Sequence, residues 1–166
     1  MSLTVTAPDP ARLRRALGSF ATGVAVVTAT ADASTVGLTV NSFASLSLDP
    51  PLVLWSLNVR SSSLATFRSA PYFAINVLSE DQSHLSVHFA TPRKDRFDGV
   101  VFEPGLGDAP LLANCVAQFE CAVASQIESG DHVLFIGRVA RFHHDDQDAL
   151  MFYRGRYLRP ADTAQV

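Results

Sequence analysis

Charge is scarce in this chain. Charged residues are 17% of its 166 residues, against about 25% in an ordinary soluble domain. Of the thirteen basic residues only Lys94 is a lysine, and the net charge is −3. That balance gives no footprint for nucleic acid. With 48% hydrophobic residues beside so little charge, part of the surface is expected to be covered by a second subunit, as in a homodimer. Cysteine is scarce too. Cys115 and Cys121, if both lie on one extended strand, stand about 20 Å apart at ~3.3 Å per residue, beyond the ~7 Å a disulfide allows. They read as free, buried thiols in a reducing compartment. No apolar run approaches ~18 residues, so no membrane span is expected. Residues 1–10 lack the apolar core of a secretory leader, and a cytoplasmic protein is the expectation. No strand–GxGxxG–helix unit, phosphate-binding GxxxxGK[ST] loop or GxSxG elbow occurs. The five histidines form no recognisable ligand set, so no metal is expected.

What is present is a run of small neutral polar side chains at residues 37–53. Leu38 and Val40 alternate with Thr39 and Asn41, which reads as strand. Ser42, Phe43, Ser45, Leu46 and Ser47 follow, and Pro50-Pro51 is expected to stop the ladder. Short hydrogen-bonding groups are poor acid–base catalysts. They suit a planar, polar-edged ring held by its heteroatoms, in a site where the bound molecule carries the chemistry. A solvated polar strand face is the plainer alternative. Against it, residues 52–57 are apolar except for Ser56, so the strip adjoins an expected buried strand.

Around this strip the pattern is mainly β. Asp9-Pro10 starts a helix with an apolar stripe at Leu13, Leu17 and Phe20, ended at Gly18. Residues 23–30 and 35–41 read as a hairpin about the turn 32–34. A short helix follows Ser63, then a strand at 72–78, then a helix at 81–89 behind the capping box of residues 79–82. Residues 90–112 have little periodicity and read as a long functional loop. Residues 118–128 alternate, with Phe119, Cys121, Val123 and Ile127 on one face and Gln118, Glu120, Gln126 and Glu128 on the other. A turn at 128–131 leads to a strand at 132–142, and a last strand is expected at 149–153. Close-spaced short strands with turn punctuation predict an antiparallel barrel carrying two or three helices. The length suits a single domain over residues 1–166, with a core of about 11–159 and a frayed tail after it.

Three further clusters could carry function. Arg60, Ser61, Ser62 and Ser63 precede a helix, where backbone N–H groups and a guanidinium suit a phosphate; an ordinary solvated cap is the alternative. His132 opens a strand after Gly130-Asp131, where it is a donor sensitive to pH or a plain surface residue. Residues 152–157 alternate aromatic and cationic side chains that could stack on a ring, or form an edge strand.

Taken in order, Phe20-Ala21-Thr22-Gly23-Val24, Gly37-Leu38-Thr39-Val40-Asn41-Ser42-Phe43, Ser45-Leu46-Ser47-Leu48-Asp49-Pro50-Pro51-Leu52-Val53, Asn76-Val77-Leu78-Ser79, His88-Phe89-Ala90, Gly130-Asp131-His132 and Tyr153-Arg154-Gly155-Arg156-Tyr157 resemble the flavin reductase family that serves two-component flavin-dependent monooxygenases. The likeness runs from Leu13 to Tyr157. It implies a Greek-key split β-barrel of the FMN-binding type, paired as a homodimer, with FMN or FAD as flavin and NADH or NADPH as co-substrate. The matching positions would place Thr39, Val40, Asn41, Ser42, Phe43, Ser45 and Leu46 around the ring and ribityl chain, and Arg60, Ser61, Ser62 and Ser63 at the phosphate. Phe89 and Ala90 would complete the flavin site, and His132 and Tyr157 would line the nicotinamide groove. Where the family often carries a phosphate-loop lysine this chain has Ser62, which leaves Arg60 as the charge there and Arg93, Lys94 and Arg96 to compensate. The implied activity is flavin reduction by NAD(P)H and delivery of reduced flavin to a monooxygenase. The alternatives are a non-catalytic flavin-binding split-barrel module and an enzyme like pyridoxamine-phosphate oxidase.

Overall fold

The computed structural model describes residues 8–160. The expected tail at 161–166 lies outside the described residues. Asp9 caps α1 (Pro10–Leu17): its carboxylate accepts from the Arg12 N–H at 2.7 Å. β1 (Thr22–Gly23) and β2 (Ala25–Ala31) follow, and β3 (Ser34–Val40) returns beside β2. The turn holds Asp32 and Ala33 at φ 49° and 60°, the positive values a tight two-residue hairpin needs. β4 (Ala44–Leu48) and β5 (Pro51–Asn58) form the next hairpin, then come α2 (Leu64–Ser69) and β6 (Tyr72–Val77). The capping box at Ser79 and Gln82 is made, opening a 3-10 turn (Glu80–Gln82) that runs into α3 (Ser83–Ala90). β7 (Phe102–Pro104), β8 (Pro110–Leu112), β9 (Ala117–Ser129), β10 (His132–His144), β11 (Met151–Tyr153) and β12 (Arg156–Leu158) complete the chain.

The main sheet has the order β3-β2-β6-β9-β10-β5-β4, with every pairing antiparallel. Its edge strands, β3 and β4, are consecutive in the chain and joined by residues 41–43, yet no ladder pairs them. The antiparallel sheet is left open along that seam, the split form of the barrel that the family resemblance implies. β1, β11 and β12 make a separate small sheet. Ala25, Val27 and Ala29 face the main core with Trp55, Phe67, Phe73, Ile75 and Phe135. Trp55 stacks on Phe135 with ring centroids 4.6 Å apart. The alternate β2 residue Val26 faces a second cluster with Leu78, Phe89, Leu112 and Leu150. β2 is buried on both faces from Ala25 to Ala29, and the one polar side chain in that stretch, Thr28, donates its hydroxyl to the Pro110 carbonyl at 2.6 Å.

Several expectations are corrected. Pro51 does not stop the ladder: it opens β5 opposite Leu48, because a proline at a strand's first residue sacrifices no ladder donor. Leu13, Leu17 and Phe20 do not pack inward; they are 44%, 67% and 78% exposed. The 90–112 segment is not structureless. It carries β7 and β8, and the Asn76 carboxamide pins it by donating to the Pro110 carbonyl at 3.3 Å and accepting from the Leu112 N–H at 2.8 Å. In β9 the register shifts between Ser125 and Val123. One extra residue reverses the phase of a strand, so Ile127 pairs with Leu134 on the outer face and is 46% exposed. Glu120, expected outward, is buried: its carboxylate accepts from the Leu106 N–H and from Arg141, both at 2.6 Å. Cys115 precedes β9 rather than lying on it, while both thiols are free and buried. Residues 152–157, which could form one edge strand, instead turn at Arg154-Gly155, and β12 pairs with β11.

Candidate functional site

The polar strip begins at Gly37, where a Cβ would meet Phe89 Cε1 at 2.8 Å and Phe97 Cζ at 3.0 Å. Glycine there lets α3 and its following loop close on β3. Thr39 then donates its hydroxyl to the Ser86 carbonyl at 2.7 Å, and Val40 buries its side chain in the main core. Ser42 Oγ donates to the Ser56 carbonyl at 3.3 Å and accepts from the Ser56 N–H at 3.1 Å. Phe43 packs against the core, 5.6 Å from Phe119. Thr39 and Ser42 therefore fasten the seam from both sides. Asn41, Ser45 and Leu46 are exposed, so an open, uncharged surface sits on a tightly held backbone.

A second group forms where β5 ends and β10 begins. His132 lies opposite Asn58, the Val59 N–H donates to the Asp131 carbonyl at 2.9 Å, and the Arg60 N–H donates to Asn58 Oδ1 at 2.9 Å. His132 Nδ1–H donates to Asp131 Oδ1 at 2.7 Å. That hydrogen bond, the imidazole's charge and the Arg60 guanidinium hold the Asp131 carboxyl below its ordinary range. Arg60 and Ser62 are exposed and Ser61 is half-buried, while Ser63 is buried and makes no side-chain cap.

A third group gathers on α3. Tyr157 Oη lies 2.8 Å from Ser86 Oγ, which places Tyr157 one residue contact from Thr39. Phe89 is 1% exposed, sunk in the second core, and Ala90 beside it is exposed. In the following loop His88 Nε2–H donates to the Arg96 carbonyl and His88 Nδ1 accepts from Arg93, both at 2.7 Å. Arg96 in turn donates to the Gly37 carbonyl at 2.6 Å, covering an edge position of β3. Two of the three loop cations are thus committed to holding the loop. Ser56 and Ser86 were missed as parts of these clusters, because both depend on register between distant segments; Asp131 was legible beside His132.

Asn41 also borders a groove of about 990 Å³ between α1 and the β11–β12 hairpin. Thr22 lines it too, and its Oγ1 is buried without a hydrogen-bond partner. A buried polar atom left unpaired marks a place where something else completes the bonding. With neutral donors on a fixed backbone and no carboxylate between Gly37 and Leu48, the residues fit a flavin ring.

A split antiparallel barrel with a neutral polar seam defines the class of protein. Residues 17–160 match the model of the flavin reductase like domain, and the chain belongs to that family. It is 47% identical over 146 residues to the FMN reductase (NADH) SmoA of Agrobacterium fabrum, covering 88% of this chain and 83% of that one. It is 43% identical over 153 residues to the reductase component of the flavin-dependent trigonelline monooxygenase of Acinetobacter baylyi, covering 92% of this chain and 49% of that one. Among solved structures, the NADH:FAD oxidoreductase SgcE6 of Streptomyces globisporus, in complex with NAD and FAD fragments, superposes with a TM-score of 0.90 at 37% identity, covering 97% of this chain and 100% of that one. The chain spans about half the length of some curated relatives, 49% of the trigonelline reductase component and 51% of a probable flavin reductase of Rhizobium meliloti. Among the described residues no helix is long and apolar enough to cross a membrane.

Proposed function

We propose that this protein is an NAD(P)H-dependent flavin reductase, a single domain over residues 1–166, that supplies reduced flavin to a separate monooxygenase. The observation that carries the reading is the exposed uncharged strip at Asn41, Ser45 and Leu46, set on a braced seam in a chain whose family match covers residues 17–160. The flavin, FMN or FAD, supplies a ring that accepts hydride from the nicotinamide of NADH or NADPH, so the protein needs no nucleophile of its own.

The chain's task is placement. Asn41, Ser45 and the main chain of Val40, Ser42, Phe43 and Leu46 meet the ring's polar edge, and Thr39 fixes the strip through Ser86. Arg60, Ser61 and Ser62 take the phosphate, with Ser63 holding the turn beneath them. Phe89 acts through its buried ring, which sets the end of α3 and the exposed Ala90. His132 orients the nicotinamide, and Tyr157 borders the same site. A homodimer is supported by the outer face of the sheet, where Leu52, Leu54, Leu134 and Ile136 are half-exposed. The free thiols suit a reducing compartment such as the cytoplasm. A monooxygenase partner is supported by the trigonelline relative, a reductase component of such a system.

The test is anaerobic absorbance with purified protein, FMN or FAD, and NADH or NADPH. Bleaching of the flavin band at catalytic protein concentration is the expected result and identifies both co-substrates. Flavin binding without turnover would replace the enzyme by a binding module, and no interaction with flavin would overturn the reading.

A further inference from the structure

β3 is held from α3 at two places, and only one of them is direct. Thr39 reaches the Ser86 carbonyl with its own hydroxyl. Gly37, on the same side of the strand, is held by the segment that follows α3. The Arg96 guanidinium donates to the Gly37 carbonyl at 2.6 Å. The Phe97 ring stands against Gly37, where a Cβ would meet its Cζ at 3.0 Å, and packs on Phe89 with centroids 5.3 Å apart. Residues 91–98 form no helix or strand. Among the described residues no main-chain hydrogen bond ties residues 92–96 to another element. His88 clasps them instead: Nε2–H donates to the Arg96 carbonyl and Nδ1 accepts from Arg93, both at 2.7 Å. A carbonyl only accepts and a guanidinium only donates, so these contacts fix the ring as the neutral Nε2–H tautomer. β3 is also an edge strand of the main sheet. An edge strand has a neighbour on one side only, and local opening draws on such thinly held segments.

We propose that Arg96 is a positioning residue for the flavin: with its main chain clasped by His88, its guanidinium holds β3 at Gly37 and so sets where Asn41 and the strip meet the ring. That role takes its ligand from the reductase reading, while the geometry of the clasp stands without it. The guanidinium acts through the strand and not on the flavin phosphate. Rigid placement of the backbone matters here because the strip binds with short side chains and main-chain groups, which cannot reach after a displaced ring.

The experiment compares the full chain with Arg96→Ala, Arg96→Lys and His88→Ala, each checked for a cooperative melt. Hydrogen exchange on the flavin-free proteins reads the strand. Exchange over residues 37–41 should quicken about ten-fold in Arg96→Ala and by less in His88→Ala, while β5 and β10 keep their rates. Arg96→Lys should recover most of the protection, since one donor is enough for one carbonyl. Titration and steady-state kinetics with FMN and with riboflavin, which has no phosphate, read the ligand. Kd and KM should rise about ten-fold in Arg96→Ala for both flavins, with kcat within a few-fold. A loss seen with FMN alone would make Arg96 a phosphate ligand and overturn the positioning role. Unchanged exchange over residues 37–41, or faster exchange with unchanged flavin Kd, would overturn it as well. If Arg96→Ala does not melt cooperatively, His88→Ala carries the same comparisons, because it frees the loop and leaves the guanidinium in place. If the wild-type protein neither binds nor turns over flavin, the reductase reading fails instead, and the exchange data still decide whether Arg96 holds β3.

Discussion

Tyr157 Oη and Ser86 Oγ lie 2.8 Å apart, and this contact joins the last strand of the chain to α3. Ser86 is fully buried, and its carbonyl accepts from Thr39. The strip, the helix and the C-terminal hairpin are therefore linked through one serine. Tyr157→Phe leaves the Ser86 hydroxyl buried without its partner, at a cost of about 1–3 kcal/mol. Hydrogen exchange should rise first on β11 and β12. Adding Ser86→Ala should recover part of the loss, since removing both partners of a buried hydrogen bond is milder than removing one. A double-mutant cycle on melting curves checks this; strictly additive losses would mean that the contact couples nothing.

Gly137 is a packing position. A Cβ there would meet the Phe73 ring and Cys121 Cβ, the latter at 2.8 Å, beside the register shift between Ile136 and Gly137. Gly137→Ala overpacks the main core and should lower stability by about 1–3 kcal/mol. Gly23→Ala serves as the contrast, because nothing lies within 4 Å of its Cβ position, and its effect should be small in the same urea titration.

Much of the fold was legible because period and punctuation agreed. The capping box at Ser79, the cap at Asp9 and the succession of most strands along the chain follow from local residue chemistry. The misplacement of Ile127 has a plain cause, which is that local pattern carries no register. Ile127 was placed on the face of Cys121 because alternation assumes an unbroken ladder, and the bulge near Ala124 breaks it. Glu120 was placed on the polar face by alternation, yet the Leu106 N–H and Arg141 satisfy it inside. β12 could have been found: Arg154-Gly155 between alternating aromatics is a two-residue hairpin loop, and both residues have positive φ, 48° and 78°.

The candidate site was legible in composition and not in detail. Thr39, Asn41 and Ser42 look alike in sequence, but only Asn41 of the three is exposed, because the other two fasten β3 to α3 and the seam to β5. Arg14, Arg15 and Arg154 are far apart in the chain and are brought to one groove by the pairing of β1 with β11 and by the Arg154 N–H bond to the Gly18 carbonyl.

His132 is placed to orient rather than to react. Its Nδ1–H is committed to Asp131, which leaves Nε2 to face a ligand. His132→Ala should raise the KM for NADH about ten-fold, some 1.4 kcal/mol of binding, while kcat stays within a few-fold. Asp131→Asn should shift KM in the same direction by less, as the amide still accepts from Nδ1–H. A collapse of kcat in His132→Ala, with flavin still bound, would give the imidazole a chemical role.

The two cysteines give the protein a pH signature. Burial pushes both the Cys115 and Cys121 thiols up from 9.0 to about 12. Between those values the unfolded chain has released protons that the folded chain still holds. Folding therefore loses stability as pH rises from about 9 toward 12, by up to ~1.4 kcal/mol per pH unit for each thiol in that window. Below pH 9 both states hold the proton and the thiols contribute no slope. Urea denaturation at pH 8 and pH 10 should show the fall, and Cys121→Ala should flatten part of it, whatever its own packing cost. The same burial should keep both thiols unreactive toward a disulfide reagent at pH 8 until urea exposes them. Prompt labelling of the native protein would show that the core around Cys115 or Cys121 opens far more readily than its packing implies.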